Sequence, residues 1–247
     1  MGLLKELNVQ LYSVREETAK DYSAAVRKIA EIGYSGVEFA GYGELSAAEM
    51  IKLLKECGLK AMGSHVGFEK LENNLHEEIE FNAAVGTKYM ICPWYKPETM
   101  DETLAFAEKC NAFGEEIKKA GMKFAYHNHG HEFDMIDGEY ILDILYANTD
   151  PNLVLAEIDT FFLACKGVDI IPYIEKYKGR MELLHIKQCK DPKTNLSRNL
   201  NDGIIDFKAV ISAAMSGGCS NFVVEQEEFD MPIFEAMKIN YNHIMSL

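Results

Sequence analysis

Six acidic and histidine residues stand at the ends of consecutive short apolar runs: His127, His129 and Glu132 in FAYHNHGHEF, Asp159 in LVLAEIDT, His185 in MELLHIK and Glu225 in FVVEQE. Each run reads as a β-strand that begins apolar and ends polar. Side chains on a strand alternate faces, so His127 and His129 share a face, as do Glu157 and Asp159, His185 and Lys187, and Glu225 and Glu227. Asp159, His185 and Glu225, completed by a ligand from the run that holds His127, would form an oxygen-rich site with a single imidazole. That donor set suits one divalent ion, Mn²⁺ first, with Mg²⁺, Co²⁺ and Zn²⁺ as alternatives, and no thiolate takes part. A single residue of this kind is more simply a solvated strand end. Four at matching positions favour a metal.

The elements that must position them follow one repeated pattern of amphipathic helix, glycine and short β-rich run. Ser46 and Glu49 have capping-box spacing, and Met50, Ile51, Leu53, Leu54 and Cys57 form an apolar stripe that stops at Gly58. The same grammar recurs before Gly33, Gly86 and Gly121 and around Gly217 and Gly218, where glycine ends a helix and turns the chain back. Eight strands are predicted to start near residues 8, 36, 59, 87, 122, 153, 181 and 221. Eight βα units in 247 residues predict an α/β fold, a single (β/α)₈ TIM barrel spanning residues 1–247. The alternative, a doubly wound open sheet, usually carries a glycine-rich phosphate loop after its first strand, and LYSVREETAKD has no glycine. QCKDPKTNLSRNLNDG, after the seventh strand, reads as an irregular active-site loop.

Bulk composition narrows the function classes. With 25 basic and 39 acidic residues the formal charge is −14, which repels phosphate backbones and anionic lipid heads. Nucleic acid and membrane are therefore not expected as partners. The six cysteines lie far apart without a CxxC pair, as small buried hydrophobes of a reducing cytosol do. The N-terminus lacks a signal-peptide core and no run has bilayer-spanning length, so a cytoplasmic location is expected. Barrels of this size often pair, which leaves a homodimer open.

The ordered motifs AYHNHGHEF, EIDTFF, LLHIK, NDGIIDF and VVEQE, with QLYSVRE and GYSGVEFAG before them, resemble the xylose isomerase-like TIM-barrel superfamily. Within it they look like the sugar phosphate isomerases/epimerases. The resemblance implies one divalent ion held by Glu, Asp, His and Glu from strands five to eight, and Asp159, His185 and Glu225 occupy three of those positions. Many relatives carry glutamate where this chain has His127. Glu132, just beyond the strand, is taken as the fourth ligand because hard cations prefer carboxylate oxygen, with His127 as its rival. Gln188 replaces the aspartate that often follows His-x-Lys in relatives.

The chemistry implied is isomerisation or epimerisation of a ketose or keto-sugar. A proton leaves the carbon next to a metal-bound carbonyl and an enediolate forms. Glu225 is the candidate base, with His127 or His129 acting from the opposite side and Glu132 as a further candidate. Lys187 would pair with an anionic or enolate oxygen. Glu38 and His65 near the ends of strands two and three, His129 and Trp94 are candidate substrate contacts. The alternative, on the same metal site, is a dehydratase or β-eliminating lyase acting on an inosose or 3-keto-glycoside. An apurinic endonuclease and a non-catalytic barrel subunit rank below these. Phosphate on the substrate is not expected, since few basic residues lie near the strand ends.

Overall fold

In the computed structural model, which describes residues 2–247, eight parallel strands close on themselves. They are β1 (Asn8–Gln10), β2 (Gly36–Ala40), β3 (Lys60–His65), β4 (Tyr89–Cys92), β5 (Lys123–His127), β6 (Val154–Asp159), β7 (Leu183–Ile186) and β8 (Asn221–Val224). Each pairs with its neighbours in chain order, and β1 closes the ring against β8. The fold is a single (β/α)₈ TIM barrel. Every strand starts within two residues of its predicted position.

Local chemistry explains the spacing. Ser46 caps the helix Ala47–Cys57 in a complete capping box with Glu49, and Gly58 ends it in the left-handed conformation at φ 68°. Met50, Leu53 and Leu54 of that helix are buried against the barrel, whereas Ile51, expected in the same stripe, is 42% exposed. Ile51 lies beside the stripe and lines a groove at the bottom of the barrel with Leu54, Leu59 and Met62. The long helix Met100–Lys119 approaches the chain before β6 through Gly114, where a Cβ would stand 2.5 Å from the Leu153 carbonyl oxygen. Overpacking against backbone costs about 1–3 kcal/mol, and the helix propensity of alanine returns about 1 kcal/mol. Gly114→Ala should therefore lower stability by up to about 2 kcal/mol, read as a reduced urea midpoint at unchanged m-value.

The period-two alternation sorts each strand into two faces. Outward residues such as Phe124, Tyr126, Val154, Ala156, Ile158, Leu184 and Ile186 join the main core under the helices. Inward residues fill the lumen in layers. Met62, Tyr89, Ile91, Ala125, Leu155, Leu183 and Val223 form an apolar plug. One step further along the same faces come Glu157 above Leu155, His127 above Ala125, His185 above Leu183 and Glu225 above Val223. The lumen thus changes from apolar to charged toward the C-terminal strand ends, the face on which barrel enzymes carry their chemistry.

The segment after β7 is more ordered than expected. Gln188–Cys189 and Ser197–Arg198 form a short antiparallel hairpin. Gln188 is buried beneath it, donating to the Leu200 carbonyl and accepting from the amides of Cys189 and Ile205. Its side chain holds this loop together. Among the described residues, no helix is long and apolar enough to cross a membrane.

Candidate metal and active site

Four buried side chains from the last four strands meet at the top of the lumen. His127, Asp159, His185 and Glu225 each offer a ligand atom, and these atoms all lie within 4.8 Å of one another. Neighbouring strand ends fix them. Asn128 accepts from the Asp159 amide at 3.1 Å, tying the ends of β5 and β6. The hydroxyl of Thr160 accepts from the Lys187 amide and lies within bonding distance of the His185 and Lys187 carbonyls, tying β6 to β7. Asp159 uses Oδ1 to accept from the Phe161 amide at 2.8 Å and leaves Oδ2 without a partner.

Glu132, expected above as the strand-five ligand, belongs to neither cluster of potential ligands that the barrel assembles. The turn His131–Phe133 folds it back over the outer side of β5, beside the outward-facing Tyr126. There its Oε1 accepts from the Tyr126 hydroxyl at 2.6 Å and its Oε2 from the His129 amide at 2.9 Å. Burial pushes its carboxyl up to about 7 despite those bonds. The structure brings His127 to the cluster instead. The Nδ1 of His127 lies 3.3 Å from Glu157 but out of line for a hydrogen bond, and it has no other partner.

A second layer lies directly beneath. His185 spans the two, with Nδ1 2.8 Å from Glu225 Oε2 above and Nε2 2.8 Å from Glu38 Oε1 below. Glu38 also accepts from Gln10 at 2.7 Å and lies 3.0 Å from His65, which is in turn 3.1 Å from Glu157. His65, His127, Glu157 and His185 form the second group of clustered ligand atoms. Glu38 was expected to touch substrate. It sits in mid-strand, two residues before the end of β2, so it falls one layer lower and is fully buried. Gly63 on the facing strand makes room for it, since a Cβ there would stand 2.7 Å from Glu38 Oε2.

Electrostatics follow from this stacking. Burial alone would raise the carboxyls of Glu38 and Glu157. The imidazoles around them outweigh it, holding Glu157 at about 2 and Glu38 below the usual carboxylate range. Burial likewise disfavours a charged His185, but Glu157 and Glu38 reverse the effect and push its pKa up. Burial and the nearby His185 drive His127 the other way and keep it neutral. His129 is pulled down to about 3, by burial and then by Lys187. Asp159 is pushed up to about 7, because burial outweighs the attraction of Lys187.

Lys187 is buried at the edge of the cluster. Its ammonium bonds to Glu227 and lies 3.7 Å from Glu225 Oε1 and 3.8 Å from Asp159 Oδ2. The rings of Phe161 and Phe162 flank it at 5.1 and 4.8 Å. Over the cluster opens a pocket of about 610 Å³, whose lining includes His65, His127, His129, Lys187, Glu225 and Trp94. Of the residues singled out in the sequence, these reach open space, whereas Glu38 and Glu132 do not line it. Glu157 and Gln10 had escaped notice as members of the site. The only signal for Glu157 was its position two residues before Asp159 on one strand face.

A closed parallel barrel with carboxylates and imidazoles gathered at its C-terminal mouth defines a class of α/β-barrel enzyme scaffolds. The chain belongs to the xylose isomerase-like TIM barrel family, whose profile matches residues 26–240. It is 26% identical over 251 residues to an inosose dehydratase of Salmonella typhimurium, covering 85% of this chain and 82% of that protein. It is 25% identical over 197 residues to an inosose dehydratase of Mesomycoplasma hyopneumoniae, covering 70% of this chain and 64% of the other, so the match spans less than two thirds of that relative. A sugar phosphate isomerase/epimerase of Parabacteroides distasonis superposes with a TM-score of 0.85 at 26% identity, covering 99% of both chains.

Proposed function

We propose that this protein binds one divalent metal ion through His127, Asp159, His185 and Glu225 and isomerises or epimerises a ketose or keto-sugar. The observation that carries the reading is the four-residue cluster itself, in which Asp159 Oδ2 is buried without a hydrogen-bond partner. Buried polar atoms normally have partners, and a cation would supply them. The donor set of two carboxylates and two imidazoles is softer than the one expected from sequence, which brings Zn²⁺ and Co²⁺ level with Mn²⁺ and ahead of Mg²⁺. Such an ion polarises a substrate carbonyl and stabilises negative charge on its oxygen.

The chain's own groups move the protons. Glu225 faces the pocket as a carboxylate, since Lys187 and His185 together overcome the effect of burial. It removes the proton next to the carbonyl. His129, also in the pocket and neutral, accepts the proton presented on the other face when the reaction runs in reverse and, as the imidazolium so formed, returns it. Lys187 offers a fixed positive charge to the oxygen that becomes negative. Glu38 receives the Nε2 proton of His185 and so turns Nδ1 toward the site, the role of the outer carboxylate in a carboxylate–histidine–metal arrangement. Glu38→Ala should weaken metal affinity by about 10–100-fold, measured by competition with a chromogenic chelator.

A second reading, dehydration or β-elimination, draws support from the inosose dehydratase relatives and from the asymmetry of the flanking groups. Beside Glu225 the pocket holds imidazoles and an ammonium, and its other two carboxylates, Glu227 and Glu228, are engaged by Lys187 and Ser197. Metal analysis of the reconstituted protein tests the site first, and a single bound ion per chain is expected. Incubating the loaded enzyme in D₂O with free ketoses and with a keto-inositol then separates the fates. Deuterium gained without loss of water marks the isomerase or epimerase, and release of water marks the dehydratase. Absence of bound metal after reconstitution with Mn²⁺, Co²⁺ and Zn²⁺ would remove the basis of both.

A further inference from the structure

Two thiols beside the pocket depart from the role of small buried hydrophobes expected for the cysteines. Cys165 Sγ and Cys189 Sγ lie 3.6 Å apart. Cys165 ends the helix Thr160–Cys165 and is half-buried, whereas Cys189 is fully buried in the hairpin after β7. We propose that these two cysteines form a reversible disulfide, made by exchange with a low-molecular-weight disulfide, that pins this hairpin at the rim of the pocket. An S–S bond of about 2.05 Å requires the sulfurs to approach by roughly 1.5 Å. Cys165 supplies that movement. It is the last residue of a short helix, and Gly167 at φ 69° turns the chain just beyond it. Cys189 is held in place. Its carbonyl accepts from the Ile204 amide at 2.9 Å, and its amide donates to the Gln188 side chain at 3.0 Å.

Exposure assigns the order of events, since a small disulfide can reach Cys165 but not Cys189. The Cys165 thiolate attacks one sulfur of that molecule, forms a mixed disulfide and releases one thiol. Cys189 then gives up its proton, and its sulfur attacks Cys165 Sγ and releases the second thiol. Two cysteine thiols are oxidised, one small disulfide is reduced to two thiols, and both protons end on those products. Burial pushes the Cys165 thiol up to about 12 and raises that of Cys189, so thiolate is scarce near neutrality and the exchange is slow. The hairpin gives the bond something to hold. Two residue pairs, Gln188 with Arg198 and Cys189 with Ser197, join its strands, and residues 190–196 between them are exposed. So short a ladder opens locally at low free energy. Asn195 from the exposed stretch lines the pocket, and the helix at the other end of the bond carries Phe161 and Phe162, which flank Lys187.

The folded protein is equilibrated with glutathione disulfide at mildly alkaline pH, and the remaining thiols are blocked with N-ethylmaleimide. Peptide mapping of the wild type should join the Cys165 and Cys189 peptides with the loss of two hydrogens, and dithiothreitol should restore both thiols. Mapping also keeps this pair apart from any glutathione taken up at Cys57, another half-buried cysteine. In Cys189→Ala, Cys165 should instead retain one glutathione, and in Cys165→Ser, Cys189 should stay free. Amide exchange over residues 188–198 should slow on the order of tenfold in the oxidised wild type, and not in Cys165→Ser treated in the same way. Two free thiols in the wild type at equilibrium, glutathione retained on Cys165 beside a free Cys189, or glutathione on Cys189 would overturn the disulfide. A joined pair with unchanged exchange over residues 188–198 would overturn the pinning of the hairpin. The wild-type measurements decide both points even where a variant does not fold.

Discussion

Asp159→Ala is expected to remove bound metal and turnover together while leaving the barrel folded. Asp159 combines a fully buried carboxylate, one oxygen fixed by the Phe161 amide and the other without a hydrogen-bond partner inside the cluster. Losing a partner that merely supports a ligand costs 10–100-fold in affinity, so losing the ligand should exceed about 100-fold. Lys187 keeps Glu225 and Glu227 as counter-charges in the variant, so no unpaired buried cation results. Circular dichroism and the thermal midpoint of the metal-free proteins should therefore differ little. Metal content near wild type in Asp159→Ala would refute the assignment. A pH dependence accompanies it. Asp159 must lose its proton to bind a cation, and burial has raised its carboxyl to about 7. His185, whose pKa is also pushed up, must likewise lose a proton, so metal affinity should fall from above neutrality through 7 toward 5, with protons released on binding across that range. The same raised value has a sign for stability in the metal-free protein. Between the unfolded value near 3.8 and about 7 the native state holds the extra proton, so this group's contribution to stability is lost as pH rises.

Much of this architecture was legible because local rules and the global fold agree. The capping box at Ser46 and the left-handed glycine at Gly58 fix a helix and its return before any tertiary contact is known. The alternation in LVLAEID places Asp159 on the inward face in the same way. Strand five was legible only as far as His127. Whether Glu132, five residues on, enters the lumen depends on the turn His131–Phe133 and on Tyr126 behind the sheet, and no periodicity encodes that reversal. The lower layer was hidden for another reason. Glu38 and Glu157 are mid-strand charges, and single-strand patterns do not show that they meet His65 and His185 across a closed barrel. Only closure brings strands two, three, six and seven into one cluster. Gln188, conspicuous in the sequence at a position where relatives often carry aspartate, turned out to organise a loop.

Glu225→Gln should retain the fold and part of the metal affinity yet lower kcat by about 10²–10⁴-fold, the usual contribution of a positioned general base. Glu38 still accepts from His185 Nε2 at 2.8 Å in the variant, so the imidazole keeps its orientation. What disappears is the charge that Lys187 and His185 hold on the carboxylate. The deuterium exchange of a bound ketose should collapse in parallel with turnover if Glu225 takes the proton. The corresponding change across the pocket is His129→Gln. In an epimerase that uses both faces, each variant should abolish net inversion. Glu225→Gln should suppress exchange when the substrate presents its proton to that side, and His129→Gln when the product does. In a dehydratase, His129→Gln should slow departure of the hydroxyl while wash-in of deuterium next to the carbonyl survives. If instead Glu225→Gln leaves exchange near the wild-type rate in metal-loaded protein, Glu225 acts as a ligand alone, and the base must be an imidazole. Exchange followed by mass spectrometry in these two variants therefore tests the reaction class and the assignment of the base together.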